Sequence, residues 1–169
     1  MDNNINFFEE FAKNKGYDEL WLKRLSFTNI LVCANMMQTM FSKTQDGITS
    51  KQWLLLTIAI NIDEAPTLSE MGKFMGCSRQ NVKQIAQVLN KNGYLKFTKI
   101  DGDKNTMRIV PTEKWFDYNE KNSEMTSNIL EKIFSELSNE ELKIFFESYI
   151  KITNSIEKIN NELNKALSH

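Results

Sequence analysis

The segment from Thr67 to Val110 constrains the fold of this 169-residue chain more than any other. Thr67 and Glu70 have the spacing of a capping box, in which each side chain bonds the other residue's backbone N–H. Apolar residues recur at helical spacing after this cap: Leu68, Met71 and Met75. Gly76 can take the left-handed conformation that ends a helix. The pattern predicts a short helix closed by a tight turn.

A second helix is predicted to start two residues later. Ser78 is a favourable N-cap and Gly93 ends the pattern. The residues at i, i+3, i+4 and i+7 form a narrow apolar stripe: Val82, Ile85, Ala86 and Leu89. The opposite face is polar and holds Gln80, Lys83, Gln84, Gln87 and Lys91, flanked in the first turn by Arg79 and Asn81.

This polar face has the residue types that bind DNA. Gln can bond adenine through two edge atoms, Arg can do the same for guanine, and Lys suits phosphate or guanine. No carboxylate occurs from Ser78 to Gly93, so nothing there repels phosphate. An ordinary amphipathic surface helix is the alternative interpretation, because Gln and Lys are good helix formers. The short helix before this segment favours DNA recognition.

A β-hairpin is predicted next. Apolar and polar residues alternate over 95–98 and again over 106–109. Between these runs, Asp101-Gly102-Asp103-Lys104-Asn105 is predicted to be a polar loop, and Asp-Gly is a strong turn signal. Two short helices followed by a hairpin outline a winged helix-turn-helix, whose second helix enters the major groove of DNA.

Positive charge is concentrated in the same segment. Eight basic and three acidic residues lie between Thr67 and Val110, a local net charge of +5, whereas the whole chain carries −1. Phosphate binding requires local positive charge rather than a basic protein. The overall charge therefore permits DNA binding, but it argues against a chain that coats nucleic acid without selectivity.

From Ile48 to Lys114 the chain resembles the MarR (multiple antibiotic resistance regulator) family of bacterial transcription factors. The matching segments are Ile48–Trp53, Leu68–Gly72, Ser78–Leu89, Asn90–Leu95 and Pro111–Lys114, and Leu137–Leu142 resembles the entry to the last helix. The resemblance implies a mainly α fold with a β-hairpin wing and flanking dimerisation helices. It also implies a homodimer that binds double-stranded DNA at a pseudo-palindromic operator. Many such proteins release DNA when a small phenolic or lipophilic ligand, or an oxidant, acts on them.

The chain departs from the family pattern in the wing. Asn105 stands where the family's Asp-x-Arg motif places an Arg that reaches the minor groove. Lys104 and Arg108 are the candidate substitutes, although Lys lacks the planar fork of Arg. Pro111-Thr112 replaces the usual Leu-Thr pair. These changes leave the wing contact open and the fold prediction intact.

The flanking segments are predicted to be helical, including Leu20 to Phe41 and Thr112 to Phe134. Ser138 with Glu141 caps a last helix with a long apolar stripe: Leu142, Phe145, Phe146, Tyr149, Ile152, Ile156, Ile159 and Leu163. Pairing with a second chain is the expected role of this stripe, and packing within one chain is the alternative. We therefore divide the chain into N-terminal dimerisation helices (1–47), a winged helix-turn-helix (48–111) and C-terminal dimerisation helices (112–169).

Little in the sequence supports catalysis. The one His is His169, and no nucleophile–base arrangement or Gly-rich phosphate loop accompanies it. The two Cys have no metal-ligand spacing. No enzyme activity, cofactor or metal is therefore expected. The first residues lack a signal-peptide pattern and the apolar runs are too short to span a membrane, so we expect a cytoplasmic protein without membrane partners.

Two further sites are hypotheses. Cys77 precedes the recognition helix, and a helix N-terminus can make a thiol reactive; a small buried turn residue is the alternative, and Cys33 is expected in the core. The family resemblance implies an apolar ligand pocket beside the dimer helices. Its candidates are Trp21, Met36, Met40, Phe41 and Trp53, since Met and Trp line adaptable apolar sites, with ordinary core packing as the alternative for each.

The sequence thus predicts a dimeric, sequence-specific transcription regulator, a ligand- or stress-responsive repressor. Base edges are assigned to Arg79, Gln80 and Gln84. Phosphate or flanking contacts are assigned to Lys73, Asn81, Lys83, Gln87 and Lys91, with Ser78 at the helix start and Lys104 or Arg108 in the wing. The alternatives are a winged-helix protein–protein interaction module and an apolar-ligand sensor without specific DNA binding.

Overall fold

The computed structural model describes residues 4–44, 47–100 and 103–167, and leaves the side chains of residues 4–6, 100 and 103–106 outside the description. Seven helices and one antiparallel hairpin make up the described chain. In order they are α1 (Asn4–Asn14), α2 (Glu19–Thr44), α3 (Ser50–Ile60), α4 (Leu68–Phe74), α5 (Arg79–Lys91), β1 (Leu95–Ile100), β2 (Asp103–Pro111), α6 (Glu113–Phe134) and α7 (Asn139–Leu167). The predicted fold class, mainly α with a small hairpin, is confirmed.

Capping boxes start three of the helices, including those predicted at Thr67 and Ser138. The Thr67 amide donates to Glu70 Oε2 at 2.8 Å and the Glu70 amide donates to Thr67 Oγ1 at 3.2 Å. The same exchange opens α3 through Thr49 and Gln52, and α7 through Ser138 and Glu141. Hydrogen bonds from the Thr67 backbone and hydroxyl hold the pKa of Glu70 below its ordinary value. The bonds from Ser138 do the same for Glu141.

The core lies where α3, α4, α5, the hairpin and the start of α6 meet. Its fully buried apolar side chains come from each of these elements: Leu55, Leu56, Met71, Val82, Leu89, Leu95, Ile109 and Trp115. Each large side chain removed from water stabilises the fold by about 1.5–3 kcal/mol. This core fixes α5 beside the hairpin, which positions the candidate DNA-binding surface.

The hairpin pairs Leu95 with Pro111 and keeps that register as far as Lys99 opposite Met107. The register then shifts, and Ile100 pairs with Asp103. The predicted loop over 101–105 is therefore too long, because residues 103–105 belong to β2. Asp-Gly needs only two positions to reverse a hairpin, and those two residues, 101 and 102, lie outside the described part of the chain.

The chain divides into two compact units, Met1–Trp115 and Phe116–His169. The predicted three-part division at residues 47 and 111 stays a prediction. In the first unit, α2 is slightly longer than predicted and buries none of its residues. In the second, α7 likewise buries none. No helix within the described ranges has the length and apolarity needed to cross a membrane.

Candidate nucleic-acid interface

A tight turn joins α4 to α5. Gly76 has φ +62°, the left-handed conformation predicted for it. The Cys77 amide donates to the Gly72 carbonyl at 2.9 Å, which ties the turn back to α4. Ser78 then caps α5, and its Oγ accepts the Asn81 amide at 3.2 Å. Ser78 therefore sets where the recognition helix begins.

The two faces of α5 separate as predicted. Val82, Ala86 and Leu89 are fully buried, and Ile85 is half-buried beside them. The predicted DNA-binding side chains of this helix are all exposed: Arg79, Gln80, Asn81, Lys83, Gln84, Gln87 and Lys91. The helix contains no acidic residue. It therefore presents amide and cationic groups to solvent, as base and phosphate recognition requires.

Lys73 lies in the last turn of α4 and is also exposed. No other basic residue lies in α4. A cation there suits a phosphate contact beside the recognition helix.

The C-terminal end of α5 is held by contacts that the sequence analysis missed. Lys114 Nζ donates to the Asn92 carbonyl at 2.9 Å and lies 4.7 Å from the centre of the Tyr94 ring. Thr112 Oγ1 donates to the Gly93 carbonyl at 2.6 Å. A cation beside free carbonyls stabilises a helix end. The start of α6 therefore holds the C-terminal end of α5 in place. In the sequence, only the family spacing of residues 111–114 pointed to these contacts.

The structure describes the side chain of only one of the two candidate wing residues, Lys104 and Arg108. Lys104 lies in β2, and its side chain is outside the described part of the structure. The Arg108 side chain is partly buried: its guanidinium donates to the Ala65 carbonyl, and Nη2 lies 2.7 Å from Glu64 Oε1. Both partners belong to the same chain and Glu64 is exposed, so the predicted minor-groove contact of Arg108 stays a prediction.

The five candidate pocket residues fall into separate places. Met36 and Met40 line an open depression of about 530 Å³ along one face of α2. Phe41 packs on Trp53 with ring centroids 5.5 Å apart. Trp21 lies fifteen residues before Met36 on the same helix, about 22 Å away at 1.5 Å per residue. Trp21 instead packs on Phe11 at 5.3 Å, with the Lys15 ammonium 5.0 Å from its ring. Within one chain the five candidates therefore lie in separate places, and the predicted ligand pocket stays a prediction.

The two cysteines differ from each other. Cys77 is half-buried in the turn before α5, next to the predicted DNA-binding face. Cys33 is exposed, so its predicted place in the core is wrong. The reason is that α2 buries no residue within one chain.

Comparison with known proteins identifies the fold. No family profile and no curated protein matches this sequence. Solved structures do match. A MarR/EmrR family transcriptional regulator from Acinetobacter sp. ADP1 is similar with a TM-score of 0.72 and 18% identity, over 81% of this chain and 98% of that one. Sco3205, a MarR family transcriptional regulator from Streptomyces coelicolor solved in complex with DNA, gives 0.71 and 14%, over 79% and 90%.

A third similar structure is the PcaV transcriptional regulator from Streptomyces coelicolor, solved with its natural ligand. It gives a TM-score of 0.62 and 13% identity, over 74% of this chain and 91% of that one. At these identities the likeness establishes a shared fold. The chain has the winged helix fold of MarR regulators, and the predicted resemblance is confirmed at that level.

Proposed function

We propose that this chain is a dimeric, sequence-specific DNA-binding transcription regulator. The observation that carries the proposal is the two-sided character of α5. One side is fully buried at Val82, Ala86 and Leu89 and half-buried at Ile85, and the other exposes seven polar or basic side chains with no carboxylate. A helix anchored in this way can insert its outer face into a major groove as a rigid body.

The polar face divides by chemistry. Arg79, Gln80 and Gln84 are assigned to base edges because they lie in the first half of α5 and can form paired hydrogen bonds with a base. Phosphate or flanking contacts are assigned to the remaining exposed residues: Lys73, Asn81, Lys83, Gln87 and Lys91. The excess of Gln over Arg favours adenine in the contacted positions.

A second copy of the chain is the proposed partner of the long terminal helix. α7 has 29 residues, a length of about 44 Å. Large apolar side chains are exposed along all of it: Ile144, Phe145, Phe146, Tyr149, Ile150, Ile152, Ile156, Ile159, Leu163 and Leu167. An apolar surface of this extent in one chain marks an interface. A two-fold symmetric dimer of this kind is expected to bind two half-sites about one DNA turn apart, near 10 base pairs.

We further propose that an apolar ligand or oxidation regulates DNA binding. The open depression on α2 exposes Met36 and Met40, and flexible Met side chains suit a small phenolic or lipophilic effector. The solved PcaV structure contains its natural ligand. A repressor that releases DNA on binding such a ligand is the version that we propose.

Selection of bound sequences from a random duplex pool tests the function. The proposal predicts an enriched, roughly palindromic site with two half-sites about 10 base pairs apart. The absence of any enriched sequence would contradict it and favour a winged-helix protein–protein interaction module. Stabilisation by an apolar ligand in a chain that enriches no DNA would favour a ligand sensor.

A further inference from the structure

Arg108 connects the hairpin to the segment before α4. It lies in β2 opposite Thr98 of β1. Its guanidinium reaches the Ala65 carbonyl and the Glu64 carboxylate, forty-three and forty-four residues earlier in the chain. The Arg108 side chain is 21% exposed, whereas that of Glu64 is 79% exposed. A partly buried cation on the hairpin thus ends on an exposed carboxylate.

Backbone contacts reinforce this connection. The Ile109 amide donates to the Pro66 carbonyl at 2.8 Å, and Thr67 forms an isolated bridge with Arg108. Thr67 is also the N-cap of α4. The Thr67 hydrogen bonds are the main cause of the lowered pKa of Glu70, and the charge of Arg108 adds to it. The hairpin is therefore bonded to residues 65–67, the backbone segment that leads directly into α4.

We propose that Glu64 and Arg108 are positioning residues that set the orientation of the hairpin relative to the recognition helix. The inference rests on the proposed DNA-binding function. Arg108 acts through the hairpin it anchors, and Glu64 acts through Arg108. The hairpin held in this way then contacts the DNA flank while α5 occupies the major groove.

The chemistry of the pair favours an Arg over a Lys. A planar guanidinium donates to a carbonyl and a carboxylate at the same time, which the point charge of Lys does less well. Because Glu64 is mostly exposed, the ion pair contributes little to the free energy of folding. A variant at Glu64 should therefore fold, with the hairpin held less firmly than in the natural sequence.

The DNA affinity of Glu64→Gln distinguishes a positioning role of Glu64 from an effect of its charge alone. Removing a carboxylate near DNA raises affinity if the net charge alone matters. Positioning predicts the opposite sign: affinity for the selected duplex falls roughly threefold to fivefold, the scale of a partly exposed ion pair. Asp63→Asn is the matched control, because it removes the same charge from the neighbouring exposed residue. It should leave affinity unchanged or slightly raised.

The full experiment compares affinity for the selected duplex and for the same duplex trimmed at both flanks, together with hydrogen exchange of the Ile109 amide. For the natural sequence, trimming should weaken binding. Glu64→Gln should bind both duplexes equally and exchange Ile109 faster than Asp63→Asn does. In the Arg108→Gln background, Glu64→Gln should have no further effect. Arg108→Lys should recover part of the flank dependence.

Each failure is distinct. Unchanged Ile109 exchange in both Glu64→Gln and Arg108→Gln overturns the anchoring, whatever the DNA result. Faster exchange with undiminished flank dependence overturns the positioning role but leaves the DNA-binding proposal standing. If the natural sequence binds no selected duplex, the proposed function fails and takes the DNA consequence with it, while the exchange rates still decide whether the pair anchors the hairpin.

Discussion

The carbonyl oxygen of Cys77 lies 2.9 Å from the point where a side-chain carbon on Gly72 would stand. The Cys77 amide also donates to the Gly72 carbonyl at 2.9 Å, so both the amide and the carbonyl of Cys77 lie close to Gly72. Gly72 is buried in the middle of α4, where a glycine is otherwise unfavourable in a helix. The close packing of α4 on the turn before α5 therefore depends on the missing side chain.

Gly72→Val should destabilise the protein. The added carbons meet backbone rather than a flexible side chain, so α4 or the turn must shift, at a cost of about 1–3 kcal/mol. Chemical unfolding measures the loss. Ser69→Val is the matched control, because it puts the same residue at an exposed position of the same helix. Equal stabilities of the two variants would show that the close approach is not required.

Gln84→Ala and Lys83→Ala should weaken DNA binding in different ways. Gln84→Ala is predicted to relax base preference at one operator position and to cost about 1–3 kcal/mol on the preferred sequence. Lys83→Ala should weaken all sequences alike and reduce the salt dependence of binding. Affinities for a panel of single-base operator variants at several salt concentrations check both. Sequence-blind losses from both variants would remove Gln84 from base readout.

Ile152→Glu should disrupt the proposed dimer. Ile152 lies near the middle of α7 and is exposed in a single chain, so a charge there would be buried without a partner on association. Sedimentation should give the mass of two chains for the natural sequence and of one chain for the variant. Asn154→Glu adds the same charge at an exposed position on the opposite face of the same helix and is the control. A single-chain mass for the natural sequence would contradict the dimer.

Oxidation at Cys77 should lower DNA affinity. Peroxide converts a thiol to a bulkier sulfenic acid, and Cys77 sits in the turn that packs against Gly72. Cys77→Ser should remove the response and Cys33→Ser should retain it, since Cys33 lies exposed on α2. Binding before and after peroxide, and after reduction by a thiol, decides this. An unchanged affinity in the oxidised natural sequence would leave Cys77 as a packing residue.

Acid should weaken the start of α4. Hydrogen bonds from Thr67 lower the pKa of Glu70 in the folded chain, so the folded state binds that proton less readily than the unfolded state does. The contribution is fully present above the ordinary glutamate pKa of about 4.3 and is lost as pH falls through the lower folded value. Stability curves of the natural sequence and Glu70→Gln should therefore converge below about pH 4. Parallel curves over that range would exclude the linkage.

Local patterns in the sequence predicted where the helices start and which residues lie on each face of α5. Thr67 with Glu70, and the spacing of Val82, Ala86 and Leu89, depend on residues within two turns of a helix. These predictions are confirmed because helical geometry alone determines them.

Contacts between distant residues could not be predicted in this way. The Arg108–Glu64 pair joins residues forty-four positions apart, and no periodicity connects them. Lys114 reaches Asn92 in the same manner. Cys33 looks like a core residue because α2 is apolar around much of its circumference, and only the packing of a single chain shows that this helix buries none of it.

The affinity ratio between the selected palindrome and a scrambled duplex, at about 0.15 M salt, tests the central claim most directly. A specific regulator predicts a ratio of about 1,000 or more. It also predicts that Gln84→Ala lowers the ratio while Lys83→Ala lowers both affinities and preserves it. A ratio near one for the natural sequence would contradict the claim that α5 reads DNA sequence.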